Sequence, residues 1–202
     1  MLDVLVRAHS FVIDRGAAVH ADVELDLRAG LPGLAVIGLG GGPARDLRER
    51  VQAAVLNSGF AFPRRRVTVN IAPPVSRGGA QLDLAVACCV LAAGGELAPS
   101  RIEPLGLCAE LALGGELRGS GAGGAIAEAA AALGLAGVLM APEDREAALL
   151  SEALPVACAR DLAGVVRILR APPRGGSDRR AQSQRREGPR GRHPLRSDRR
   201  PP

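Results

Sequence analysis

Between Val19 and Leu27 every second residue is apolar, and the residues in between are His20, Asp22, Glu24 and Asp26. A period of two marks a strand with one buried face. Leu2 to Ile13 alternates in the same way, so the two runs predict a hairpin, Leu2 to Ile13 and Ala18 to Leu27, around Arg15-Gly16. The acidic face of its second strand has to be solvated. Further strands are expected at Leu34 to Ile37, Arg66 to Ile71, Leu105 to Leu113, Glu116 to Arg118, Gly137 to Met140 and Pro155 to Ala157. Helical periodicity covers Ala44 to Asn57, Gln81 to Ala93, Gly124 to Leu133, Glu143 to Glu152 and Asp161 to Leu169, with Asn57-Ser-Gly59 as a stop signal. A hairpin followed by alternating strands and helices predicts an α+β (mixed α/β) fold in two layers.

Composition divides the chain. Residues 1–173 carry 16 Arg against 18 acids, a net of −2, whereas residues 174–202 carry 10 Arg against 3 acids, a net of +7. The first segment has the apolar content for one core domain. The second, from Arg174, offers only Leu195 as a large apolar residue, so its composition predicts a disordered Arg-rich tail. Two readings of that tail stand. Arg179, Arg180, Arg185 and Arg186 are candidate contacts to nucleic-acid phosphates, although no aromatic residue is interleaved for base stacking; the alternative is a solvated extension.

All 26 basic residues are arginine. A guanidinium stays charged and serves neither as a general base nor as a Schiff-base amine. A phosphate loop of the form G-x-x-x-x-G-K-[ST] is excluded with it, and the chain by itself is expected not to be an ATPase. Cys88, Cys89, Cys108 and Cys158 include no C-x-x-C pair and no His at ligand spacing, which predicts buried free thiols and no metal site. The N-terminal run is interrupted by Asp3, Arg7 and Asp14, fitting neither a signal peptide nor a spanning helix; the expectation is a cytoplasmic protein without a membrane partner.

Two glycine loops invite a cofactor. Gly119-Ser-Gly-Ala-Gly-Gly124 fits G-x-G-x-x-G, with Glu143 and Asp144 beyond it, and is the basis of a dinucleotide-binding enzyme as an alternative function. Against it, the strand before the loop is polar and belongs to a hairpin around Gly114-Gly115. Gly38-Leu-Gly-Gly-Gly-Pro43 precedes a helix and reads either as an anion cradle or as a flexible turn. Arg64, Arg65 and Arg66 beside Pro63 read either as a phosphate-backbone contact or as a solvated turn.

Several unusual words follow one another in order: Gly30-Leu-Pro-Gly33, Val36-Ile-Gly38, Arg48-Glu-Arg-Val51, Asn57-Ser-Gly-Phe60, Pro63 with Arg65 and Arg66, and Thr68-Val-Asn-Ile-Ala-Pro73. This order resembles the N-terminal domain of the magnesium-chelatase-like AAA+ ATPases, the ChlI-like family that includes the ComM-type competence proteins, and it continues more loosely to about Leu169. The resemblance implies a Lon-protease-like domain of the ribosomal protein S5 domain 2-like fold over residues 1–173. For complete family members it implies ATP and Mg²⁺, a hexameric ring and, in the ComM branch, DNA branch migration in transformation. In Lon-like enzymes a Ser opening the helix after the second strand is activated by a Lys. Here the matching loop reads Arg77-Gly-Gly-Ala80, with Asp83 retained, so the nucleophile position is the vestigial Ala80. Ser76 lies before the glycines, and His9 and His20 are the conceivable bases. The resemblance thus implies a non-catalytic accessory domain, with no cofactor of its own and with an AAA+ ATPase module or ring subunits as partners. Where family members continue into the ATPase module, the Arg/Pro/Gly-rich ending is the expected mark of a frameshift or truncation. The rival function is a stand-alone nucleic-acid-binding module that uses the tail.

Overall fold

The computed structural model describes residues 4–76 and 78–172. Two long strands, β1 (Val4–Asp14) and β2 (Ala17–Arg28), pair antiparallel along their whole length. Arg15 and Gly16 both adopt positive φ, 49° and 86°. That is the backbone of a two-residue turn whose twist matches the flanking strands. β3 (Gly33–Leu39) and β4 (Arg66–Val75) extend the sheet on one side, and β5 (Leu105–Cys108), β8 (Gly137–Met140) and β9 (Val156–Cys158) on the other, giving the order β3-β4-β2-β1-β5-β8-β9. The contacts β1–β2 and β2–β4 are antiparallel and the other four parallel.

Alternation decides which residues are buried. Val6, Ala8 and Val12 of β1, Ala21, Val23, Leu25 and Leu27 of β2, and Val67, Val69 and Ile71 of β4 point into the main core. That core is closed by α1 (Gly41–Asn57), α2 (Asp83–Ala93) and α5 (Leu162–Arg170). α2 is buried from Asp83 to Ala92. α1 and α5 are amphipathic, presenting Leu47, Val51, Ala54 and Val55, and Leu162, Val165, Val166 and Leu169. α1 ends as its sequence predicts: Gly59 takes φ 82°, Phe60 N–H donates to the Val55 carbonyl (3.1 Å) and Gly59 N–H to Leu56 (3.0 Å).

Phe11 and Ile13 point the opposite way, into a second cluster with Cys108, Val138 and Met140. α3 (Gly123–Ala132) and α4 (Arg145–Leu150) supply Ile126, Ala127, Ala130 and Ala148 to it. The architecture is therefore mixed α/β: α1, α2 and α5 close one face of the sheet, and α3 and α4 cover part of the other, over β5, β8 and the Phe11–Ala18 end of the hairpin, leaving the rest of that face open. The uncovered half carries Arg7, His9, Asp22, Glu24 and Asp26, so the acidic face of β2 is solvated as its pattern requires; the Asp22 side chain is 53% exposed.

One expected element is divided. Leu105 to Leu113 does not run as a single strand: β5 stops at Cys108, and Glu110–Leu111 is a separate strand, β6, paired with β7 (Leu117–Arg118). Ala109 lies between them because its backbone is held by the loop before α2, its N–H donating to Gln81 (3.1 Å) and its carbonyl accepting from Leu84 (3.2 Å). The remaining elements are where expected, with ends shifted by a few residues, and Asp161 caps α5 by accepting from Gly164 N–H (2.6 Å). No helix among the described residues is long and apolar enough to cross a membrane. Residues 173–202, including Arg179, Arg180, Arg185 and Arg186, lie outside the described part.

Candidate functional site

The loop from β4 to α2 is where the family resemblance puts a nucleophile. Gly78 and Gly79 take φ 70° and 95°, after which Ala80–Leu82 forms a 3-10 turn that runs into α2. At Gly79 an added Cβ would lie 3.0 Å from Leu39 Cδ1, so the turn needs glycine both for its φ and for its closeness to β3. The side chain at the nucleophile position is the methyl of Ala80. Ser76 is exposed and lines a cavity with Asp14, His20, Pro73 and Gly78. Among the described residues no His, Asp or Glu side chain hydrogen-bonds its hydroxyl, so no base activates it in this geometry.

Three residues beyond Ala80, Asp83 is fully buried. Arg50 of α1 reaches it with Nε at 2.5 Å and Nη2 at 3.1 Å, and Leu111 N–H donates to the same carboxylate at 3.2 Å. Burial pushes the Asp83 carboxyl up to about 6 against the opposing pull of Arg50, while the hydrogen bond to Asp83 raises the guanidinium. Asp83 thus ties α2 to α1 and β6 and is spent on structure. Arg50, part of the Arg48-Glu-Arg-Val51 word, has no partner that the sequence alone identifies. Its side of the helix was legible: Arg50 lies three residues after Leu47 and four before Ala54, on the stripe that α1 buries.

In the loop Gly119–Gly124 the amides of Ser120, Gly121 and Ala122 are occupied. Asp144, itself buried, accepts from Ser120 N–H (2.7 Å), Gly121 N–H (2.7 Å) and the Ser120 hydroxyl (3.2 Å). A Cβ on Gly123 would lie 2.0 Å from the Asp144 carbonyl oxygen, and one on Gly119 2.9 Å from Glu143 Cβ. The carboxylate of the chain's own Asp144 takes the Ser120 and Gly121 amides, which are then not free for a phosphate. β7, which feeds the loop, is half of a two-stranded antiparallel hairpin rather than a buried parallel strand. These residues do not fit a dinucleotide, and with no lysine they do not fit ATP with Mg²⁺ either. In Gly38–Pro43, the glycine that geometry demands is Gly38, whose Cβ would lie 2.0 Å from the Ile71 carbonyl oxygen; Gly40 N–H donates to Val75 (3.2 Å), and Gly41 and Gly42 have nothing within 4 Å of an added Cβ.

The arginine triplet is split by the start of β4. Arg64 and Arg66 are exposed, while Arg65 is half-buried with its carbonyl accepting Gly33 N–H at 3.3 Å. Arg66 shares a cleft with Arg48 of α1, beside Gly30, Leu31 and Gly33. Burial pushes the Cys88 and Cys108 thiols up to about 12 and raises Cys89 and Cys158, which favours the protonated thiol.

The hairpin brings together three residues that spacing along the chain kept apart. His9 stands opposite Asp22 and diagonal to His20; His9 Nδ1 is 3.0 Å from His20 Nε2 and 3.1 Å from Asp22 Oδ1, and His20 Nε2 is 3.5 Å from that oxygen. Burial lowers the His20 pKa against the opposing charge of Asp22, with His9 lowering it further. His20 is also packed on Phe11, ring centroids 5.7 Å apart.

The profile of the family described as "Subunit ChlI of Mg-chelatase" matches residues 23–144, from the middle of β2 to Asp144. The Escherichia coli protein "Uncharacterized protein YifB" is 36% identical over 125 residues, 61% of this chain and 24% of that protein. Its Salmonella typhimurium namesake is 41% identical over 98 residues, covering 48% and 19%. "Competence protein ComM" of Haemophilus influenzae is 38% identical over 98 residues, again 48% and 19%. The matches cover a quarter or less of these relatives. With the ChlI profile spanning over half of it, the chain belongs to the magnesium-chelatase-like family of ChlI and ComM-type proteins.

Proposed function

We propose that this chain is a non-catalytic accessory domain that acts with a magnesium-chelatase-like AAA+ ATPase module of ComM type. The observation that carries the reading is the start of α2. The position that the resemblance gives to a nucleophile is Ala80, no base among the described residues is bonded to nearby Ser76, and Asp83 is held by Arg50 as a structural pair. A domain built on such a fold without chemistry of its own is suited to holding a partner. The Haemophilus influenzae relative is named a competence protein, which favours a link to DNA processing during transformation. ATP and Mg²⁺ belong to the partner module in this reading.

The testing experiment exposes the chain and its Ala80→Ser variant to a serine-directed covalent reagent, with ATP turnover followed in parallel. Neither protein is labelled and neither turns over ATP if the reading holds. Labelling at residue 76 or 80, or saturable ATP hydrolysis, contradicts it.

A second reading, a nucleic-acid-binding module, is favoured by one observation: Arg48 and Arg66 line a single cleft on the body of the domain, which would add to the cations of residues 174–202.

A further inference from the structure

The geometry points to a divalent transition-metal site on the β1–β2 hairpin, formed by His9 Nδ1, His20 Nε2 and Asp22 Oδ1. The hairpin register creates it. His9 pairs directly with Asp22, and Phe11 with His20, so the side chains of His9, Asp22 and His20 share one face of the sheet across adjacent strands. They lie where the uncovered half of that face meets the second core cluster, with His20 fixed against Phe11 and the His9 ring centroid 5.1 Å from that of His20. Two of the three side chains are half-buried, which limits the freedom lost when a ligand orders them.

The distances set the test of fit. The edges of the ligand triangle are 3.0, 3.1 and 3.5 Å. A metal with bonds of about 2.05 Å to each atom would subtend angles of about 94°, 98° and 117° across these edges, the first two between the octahedral and tetrahedral values and the third somewhat wider than tetrahedral. The three ligand atoms are thus close enough together to reach one ion. A single proton serves the cluster less completely. Asp22 carries lone pairs only, and one hydrogen, whether on His9 Nδ1 or on His20 Nε2, has to be shared between the other two atoms and leaves one edge of the triangle unbridged. A cation satisfies all three atoms at once.

Donor type narrows the ion. Two imidazoles and one carboxylate suit Zn²⁺, Co²⁺, Ni²⁺, Cu²⁺ or Fe²⁺ rather than Mg²⁺ or Ca²⁺, which prefer oxygen ligands. Three protein ligands leave at least one position open. His9 and Asp22 border a cleft whose other walls include Arg7, Glu24 and Glu103, so an open position faces water and further carboxylates. Chain spacing argued against a metal because metal motifs are usually local; here the ligands are local in register instead.

The experiment uses the full chain, freed of metal by chelation and titrated with ZnCl₂ by calorimetry, then with CoCl₂ by visible absorption. The expected result is one ion per chain, with cobalt d–d bands and no thiolate charge-transfer band. His9→Ala should weaken zinc affinity by about 100-fold and Asp22→Asn by at least about tenfold. Both positions are on the solvated side of the hairpin, and circular dichroism is the check that each variant is folded. His20→Ala also removes packing from Phe11, so it is not used. Cys158→Ser and His193→Ala should leave the affinity unchanged. Absence of stoichiometric binding, or affinity unchanged in His9→Ala and Asp22→Asn, overturns the site.

Discussion

The guanidinium of Arg50 reaches across from α1 to the buried carboxylate of Asp83 at the start of α2, with Nε 2.5 Å from Oδ2 and Nη2 3.1 Å from Oδ1. Removing one partner of a buried pair leaves an uncompensated charge. Arg50→Met should lower unfolding stability by about 3 kcal/mol near neutral pH, the lower end of the range for such pairs, because its own side chain keeps 23% exposure. Arg50→Met with Asp83→Leu should recover most of that loss, since an apolar pair in the same place leaves no charge to desolvate. Urea unfolding followed by circular dichroism measures both.

The same pair predicts a pH signature. Burial raises the folded Asp83 carboxyl from 3.8 to about 6. Between those values the folded chain holds a proton that the unfolded chain has lost, so this group's contribution is complete below about pH 4, falls as pH rises, and is flat above about pH 6. A shift of about two units corresponds to roughly 3 kcal/mol. Relative to Asp83→Asn, the wild-type protein should lose stability across that window; a difference that stays constant with pH contradicts the assignment.

The glycine loop makes a third prediction, which separates packing from phosphate binding. Gly123→Ala places a methyl 2.0 Å from the Asp144 carbonyl oxygen, a backbone atom that cannot give way cheaply. A loss of about 2–3 kcal/mol is expected. Gly42→Ala in α1 meets nothing within 4 Å and should be neutral or stabilising by up to about 1 kcal/mol. Equal effects of the two changes in thermal unfolding would show that the Asp144 contact does not close the loop.

Much of this was legible in the chain. The alternation from Val19 to Leu27 identified β2 and its wet acidic face, and Asn57-Ser-Gly59 placed the end of α1. The His9–Asp22 pairing was legible in principle: with Arg15-Gly16 as a two-residue turn, Asp14 pairs with Ala17, and every partner pair then sums to the same number, 14 + 17 = 9 + 22. Chain spacing alone hides that register. The division of Leu105–Leu113 was not legible, because it depends on Ala109 bonding to Gln81 and Leu84, more than twenty residues away. Nor was the role of Asp144, since a G-x-G-x-x-G pattern is the same string whether its amides hold a phosphate or a carboxylate of the same chain.

On nucleic acid, the charge division assigns the affinity. Residues 174–202 carry a net +7 and residues 1–173 a net −2, so removing everything after Pro173 should abolish non-specific duplex binding, and the full chain should lose affinity steeply with salt. Should the shortened protein bind as tightly at moderate salt, the cleft of Arg48 and Arg66 is the contact, and replacing both by Ala should then remove it. Fluorescence anisotropy at several salt concentrations distinguishes the two.

In the proposed function the domain works by association with an AAA+ motor and not by chemistry of its own. The most direct measurement is sedimentation velocity of the purified chain mixed with the ATPase module of a ComM-type protein from the same organism, prepared without its own N-terminal domain, with ATP and Mg²⁺ present. The chain is expected to move with the assembled motor and to alter its ATPase rate. A chain that sediments as an independent species at every ratio, with the motor's rate unchanged, contradicts it.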